Sequence, residues 1–218
     1  MLITNLALTN YRSYSNLDLA LNPGISIFIG KNGEGKTNIA ESILYLTFLN
    51  SHRVSSNAPL VKLGNSSAYI RAKVKNPERE ILIELEINAE KANRAKVNQN
   101  PVRSQRAISG LVKAICFSPE DLDLVRGDPS ERRTFLDHLL IQRNPRLGGV
   151  ISDYEKALKQ RNTLLKSAGR RALNETAQTT LEAWNEQLIT HGSEIVNQRL
   201  HALTKLFPYI QKHGATLS

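Results

Sequence analysis

The chain has 218 residues, with 29 Lys plus Arg against 20 Asp plus Glu, giving a net charge of +9 and a pI near 9.8. That length buries a sizeable core and lies between the usual sizes of one domain and two. The charge favours polyanions, with nucleic acid ahead of an anionic membrane surface, while a mean hydropathy of −0.33 and no run near the roughly 18 apolar residues of a membrane span exclude a helical membrane protein.

The amino terminus MLITNLALTN has neither a basic n-region nor a small-residue cleavage site, so a cytoplasmic location is expected. Apolar alternation through this segment predicts a half-buried strand, and LDLAL predicts a second. After the turn NPG, the run ISIFIG is β-branched and aromatic without interruption, which predicts a central strand buried on both faces. From Lys36 to about Asn50, Ile39, Ile43, Leu44 and Phe48 form one helical stripe. The polar stretch from His52 to Ser67 reads as loop with at most a short helix. Two strands, AYIRAKVKN and REILIELEIN, flank the turn NPER, and RAKVNQNPV completes an antiparallel meander.

KAICFS predicts a further strand. Cys116 lies inside it as a buried small hydrophobe, and this single cysteine has no partner for a disulfide or a thiolate metal cluster. Ser118, Pro119, Glu120 and Asp121, and then Asp128, Pro129 and Glu131, combine a cap, a first-turn proline and acids. They predict two helices separated by Gly127, the second with Phe135, Leu136, Leu139 and Leu140 as its apolar stripe. From Ser152 to about Leu206 only amphipathic helical patterns occur, broken near AGRRALNE, which predicts a helical hairpin or arm.

The segment GKNGEGKTN carries the chemistry. Gly30, Gly33, Gly35, Lys36 and Thr37 fit G-x-x-x-x-G-K-[ST], with the strand-like run before them and the helical pattern after them. Glycines allow positive φ and close backbone approach, so that successive N–H groups converge on an anion at a helix start. Lys36 is placed to reach the β- and γ-phosphates, and the Thr37 hydroxyl to ligate Mg²⁺. The candidate nucleotide site is Gly30, Lys31, Asn32, Gly33, Glu34, Gly35, Lys36, Thr37 and Asn38. The loop alone leaves open a kinase, a GTPase, a transporter subunit or a DNA-repair ATPase.

Two basic runs point to a polyanion. Lys91, Arg94, Lys96, Arg103 and Arg106 occur without an intervening acid, and Glu155 to Arg171 holds six basic residues against one acid. The first five are the candidate phosphate contacts for DNA; the plain alternative is a solvated face. Arg132 and Arg133 either meet DNA or face solvent. The five histidines show no metal-ligand spacing, and Trp184 is expected to pack between arm helices.

Taken together, LALTNYRSY, GKNGEGKTNIAESI, SHR at 51–53, FSPEDLDLVRGDPSERRTFLD and YEKALKQRNTLLK resemble, in order and at consistent spacing, the RecF family of bacterial recombination and repair proteins. The resemblance implies an α/β P-loop NTPase head lobe of ABC/SMC type with an α-helical arm: residues 1–150 as the amino-terminal part of the head and residues 151–218 as the arm. It implies ATP and Mg²⁺ as ligands, with Arg12 and Ser13 as further nucleotide contacts. It also implies ATP-dependent homodimerisation, weak DNA-stimulated ATP hydrolysis, and binding to double- and single-stranded DNA at gap junctions, with RecO and RecR as partners in loading RecA.

One departure is large. The family pattern continues into a Ser/Gly signature motif and a Walker B strand of four apolar residues followed by two acids, and neither occurs in this sequence. The head is therefore expected to be incomplete at its carboxyl end, and no catalytic residue is assigned. A nucleotide- and DNA-binding fragment without turnover is the main alternative, and a small-substrate phosphoryl transferase a lesser one.

Overall fold

The computed structural model describes residues 1–51, 53–54, 56–103, 105–169 and 174–216, with the side chains of Gln105, Arg106 and Glu120 also left aside. The contacts group into two units, Met1–Phe117 and Ser118–Ser218.

In the first unit, strict alternation builds a one-faced antiparallel sheet. β1 (Leu2–Tyr11), β2 (Tyr14–Ala20), β3 (Ser67–Lys75), β4 (Glu80–Asn88), β5 (Arg94–Val97) and β6 (Asn100–Pro101) lie in the order β2-β1-β3-β4-β5-β6. Along β3 and β4, Ala68, Ile70, Ala72 and Val74 bury one face beside Ile81, Ile83, Leu85 and Ile87. The other face carries Tyr69, Arg71, Lys73, Glu84 and Glu86. Helix α1 (Lys36–Phe48) contributes Ile39, Tyr45 and Leu46 to the same core, and the short 3-10 turn Ala58–Leu60 adds Leu60. The strands, the meander and α1 are those expected from the sequence.

Two expected strands are not formed. Residues 25–30 and 113–117 have no strand assignment, and their side chains lie open: Ile25 and Ile29 are each 92% exposed, Ile115 96% and Phe117 93%. A β-branched apolar run becomes a strand only when neighbouring backbone completes its hydrogen-bond ladder and covers its faces. The six described strands pair with one another and not with these runs. For the same reason Cys116 is exposed rather than buried.

The second unit is helical. Short α2 (Asp123–Arg126) ends at Gly127, and α3 (Pro129–Arg143) is capped by Asp128, whose side chain accepts from the Ser130 N–H with Pro129 in the first turn. Of the expected α3 stripe Leu140 is buried, while Phe135 is exposed. The arm is α4 (Arg146–Ala168) and α5 (Glu175–Gly214), an antiparallel-type hairpin whose core joins Leu140, Leu147, Val150, Ile195 and Ala202. Asp137 on α3 takes a two-pronged pair from Arg199 on α5, at 2.8 and 2.6 Å. By contact α3 thus groups with the arm helices, although its sequence lies within the 1–150 span read as head.

Candidate nucleotide-binding site

The phosphate loop opens α1. Gly35 is its N-cap at φ 95°, Gly33 has φ 88°, and no side chain caps the helix, so the first N–H groups of α1 are left for an anion. At both positions the left-handed backbone favours glycine. Gly35 has a second constraint, since a Cβ there would meet Ser13 Oγ at 2.7 Å and the Tyr14 ring at 3.0 Å. Residues 30–34 are exposed.

The loop's charged groups are tied to its own backbone. Lys36 Nζ donates to the carbonyls of Gly30 (2.7 Å) and Lys31 (2.6 Å). The Lys31 N–H donates to Glu34 Oε2 at 2.9 Å, and a Cβ on Gly30 would meet that carboxylate oxygen. An anionic oxygen is therefore already a fitting partner for a loop amide. Glycine at 30 leaves the space for it. Thr37 is exposed one residue beyond Lys36, and Asn38 Nδ2 donates to Ser13 Oγ at 3.1 Å. Ser13 thus lies against the loop.

Arg12 has another partner. Its Nε and Nη2 donate to Glu41 at 2.9 and 2.6 Å, and its Nη1 donates to the Pro59 carbonyl at 3.1 Å. Glu41, on α1, also accepts from Ser51 Oγ at 2.6 Å, and Arg53 Nη1 stands 4.0 Å away. The Glu41 side chain is wholly buried and Arg12 is 17% exposed. Burial pushes the Glu41 carboxyl up, but hydrogen bonds from Arg12 and Ser51 and the charges of Arg12 and Arg53 outweigh it and hold the group below its ordinary value. The hydrogen bond to Glu41 is also the main reason Arg12 is held above its own. Beside them, burial foremost and the Glu41 charge next push the Tyr11 phenol up.

Sequence reading missed Glu41, Ser51, Arg53 and Pro59 as members of this group. A signal was present: after Lys36, Glu41 is the one charged residue of KTNIAESILYLTF, and a lone acid in an apolar helix needs a partner. His52 of the SHR block lies outside the described residues.

The basic candidates are dispersed along the sheet's edge region. Lys91 and Arg103 are exposed, while Arg94 and Lys96 on β5 stand across from Glu86 and Glu84 on β4. The Arg106 side chain lies outside those described. On α4, Lys156, Lys159 and Lys166 are exposed and Arg161 Nε donates to Asn185 at 2.7 Å, while Arg170 and Arg171 lie outside the described residues. Arg132 donates to the carbonyls of Leu124 and Gly127, which gives it a structural role at the end of α2. Among the described residues no group of three or more His, Cys, Asp or Glu could hold a metal ion, and no helix is long and apolar enough to cross a membrane. Trp184 is half-buried on α5.

Comparison with known proteins fits this geometry. The family model described as AAA domain matches residues 5–213. The chain belongs to the AAA domain family. It is 47% identical over 97% of its length to the DNA replication and repair protein RecF of Streptomyces avermitilis, covering 58% of that protein. It is 49% identical over 94% of its length to RecF of Kineococcus radiotolerans, covering 53%. A solved structure of the recombination mediator protein RecF with ATP, in the RecFOR pathway, matches with a TM-score of 0.84 at 30% identity, over 94% of this chain and 54% of that one. An SMC ATPase structure matches in fold, with a TM-score of 0.52 at 20% identity, over 63% of this chain and 98% of that one. The resemblance to RecF is thereby shown, and with it the α/β P-loop ATPase head with a helical arm. The chain spans about half the length of the curated relatives it matches.

Proposed function

We propose that the chain is the nucleotide-binding part of a RecF-type DNA replication and repair ATPase. The observation that carries the reading is the phosphate loop itself, a glycine-built helix start with free N–H groups and a lysine poised over it. On binding ATP, Lys36 exchanges its two loop carbonyls for phosphate oxygens, the amides at the start of α1 donate to the phosphates, and Glu34 yields the Lys31 amide. Thr37 would hold Mg²⁺, which when bound neutralises developing phosphate charge. Ser13 lines the loop through Asn38 and the space beside Gly35.

The cations Lys91, Arg94, Lys96, Arg103 and Arg106 are proposed as DNA backbone contacts, supported by the net charge of +9. In a RecF-length protein, further chain would pair with residues 25–30 and 113–117 and complete the head. ATP-dependent dimerisation, hydrolysis, and action with RecO and RecR at single-stranded gaps to load RecA belong to that whole assembly. A chain that binds nucleotide without turning it over is the second reading, favoured by the lack of a Walker B run in this sequence.

Titration with a fluorescent ATP analogue, alongside turnover with and without duplex DNA, tests both. Binding weakened at least about thirtyfold in Lys36→Ala, with no turnover by the parent, supports a binding head that needs further chain. Turnover abolished by Lys36→Ala would show hydrolysis by this chain itself, and binding unchanged by Lys36→Ala would refute the phosphate-loop reading.

A further inference from the structure

The turn between β1 and β2 is strained. Asn10, near the end of β1, and Arg12, in the turn itself, have φ of 51° and 52°, a left-handed backbone that non-glycine residues adopt at a cost. Such a conformation persists only where its surroundings hold it, and here the holding group is identifiable. The Arg12 N–H donates to the Leu60 carbonyl at 2.9 Å, and its guanidinium is clamped between the Pro59 carbonyl and the buried Glu41 carboxylate. Glu41 lies on α1, five residues after Lys36, so the same carboxylate is rigidly attached to the phosphate loop.

The two residues that follow Arg12 face the loop. Ser13 Oγ accepts from Asn38, Ser13 and Tyr14 fill the space beside Gly35, and the Tyr14 hydroxyl donates to the Glu34 carbonyl at 3.4 Å. From these contacts we infer that Glu41 is a positioning residue for the nucleotide site: through Arg12 it sets the β1–β2 turn as the wall of the phosphate loop. Ser51 and Arg53 extend the clamp to the segment after α1, since Ser51 donates to Glu41 and Arg53 Nη1 reaches Asn38 Oδ1 at 3.5 Å. Removal of the carboxylate's charge releases Arg12, relaxes the strained turn and withdraws Ser13 and Tyr14 from Gly35. The inference rests on the nucleotide reading given above.

Hydrogen exchange and analogue titration of Glu41→Gln in the 218-residue chain test it together. Without nucleotide, faster exchange is expected at residues 12–14 and 35–38, with β3 and β4 unchanged. With Mg²⁺ and a fluorescent ATP analogue, Kd is expected to rise about tenfold, and adding Arg12→Gln to Glu41→Gln is expected to change it less than about twofold further. Val74→Ala is the control for general destabilisation; Val74 is buried and pairs with Ile3, at the end of the sheet away from the turn. If Glu41→Gln does not fold, Ser51→Ala, which strips one hydrogen bond from the carboxylate, is measured in the same way with about a threefold rise expected. Unchanged exchange at 12–14, a Kd within twofold of the parent, or an equal rise in Val74→Ala would overturn the inference. A parent whose binding ignores Lys36→Ala would refute the nucleotide reading instead, and exchange at 12–14 would still decide whether Glu41 positions the turn.

Discussion

Arg12–Glu41 and Arg71–Glu84 join the same two chemical groups within one unit, yet they stand in opposite surroundings. The first closes at 2.6 Å around a carboxylate with no exposed surface. The second lies at 3.2 Å on the open face of the sheet, with Arg71 over the Tyr69 ring and both partners partly in water. Water can replace either partner of the exposed pair at little cost, but loss of one member of the buried pair leaves a charge or polar group stranded. The difference marks the first pair as a buried joint beside the phosphate loop and the second as a surface contact.

The largest expected effect follows directly. Glu41→Ala should cost about 3 kcal/mol or more in denaturant unfolding, and Arg71→Ala less than about 1 kcal/mol. Equal costs would break the distinction. A pH series sharpens it: because the Glu41 carboxyl is held below its unfolded value of 4.5, its contribution is fully present above that pH and is lost as pH falls through the lower folded value. The groups facing it are Arg12, Arg53, Ser51 and Tyr11, and below pH 4.5 the stability of Glu41→Gln should fall less steeply than that of the parent. A parallel slope would show that Glu41 is not the titrating group.

Burial rather than residue type should also separate two isoleucines. Ile83→Ala, in the fully buried face of β4, should cost about 3 kcal/mol. Ile27→Ala, at 77% exposure, should cost less than about 0.5 kcal/mol in this chain. In a RecF-length protein, where further chain is proposed to pair with residues 25–30, the Ile27→Ala cost should rise to about 2 kcal/mol. A cost that stays small there would remove residues 25–30 from the proposed head sheet.

Much of this was legible from period and punctuation. Alternation in β1, β3 and β4 needs only one buried face, and these strands find their partners within the chain, so local pattern and final structure agree. The phosphate loop was legible because its glycines and lysine are fixed by backbone conformation and charge at known spacing. The 25–30 and 113–117 runs form no strand here because an apolar run becomes one only where neighbouring backbone completes its hydrogen-bond ladder, which local pattern does not report. Glu41 was missed because the stripe Ile39, Ile43, Leu44 and Phe48 drew attention to the apolar face, while α1 also buries Glu41, Ser42 and Thr47.

Amide exchange with and without Mg²⁺–ATP tests the central claim most directly, since backbone N–H groups of the phosphate loop are proposed to hold the triphosphate. The account predicts protection gained at residues 30–38, weaker protection at 12–14, and both lost in Lys36→Ala. Binding with no gain at 30–38, or protection concentrated in the arm helices, would contradict it.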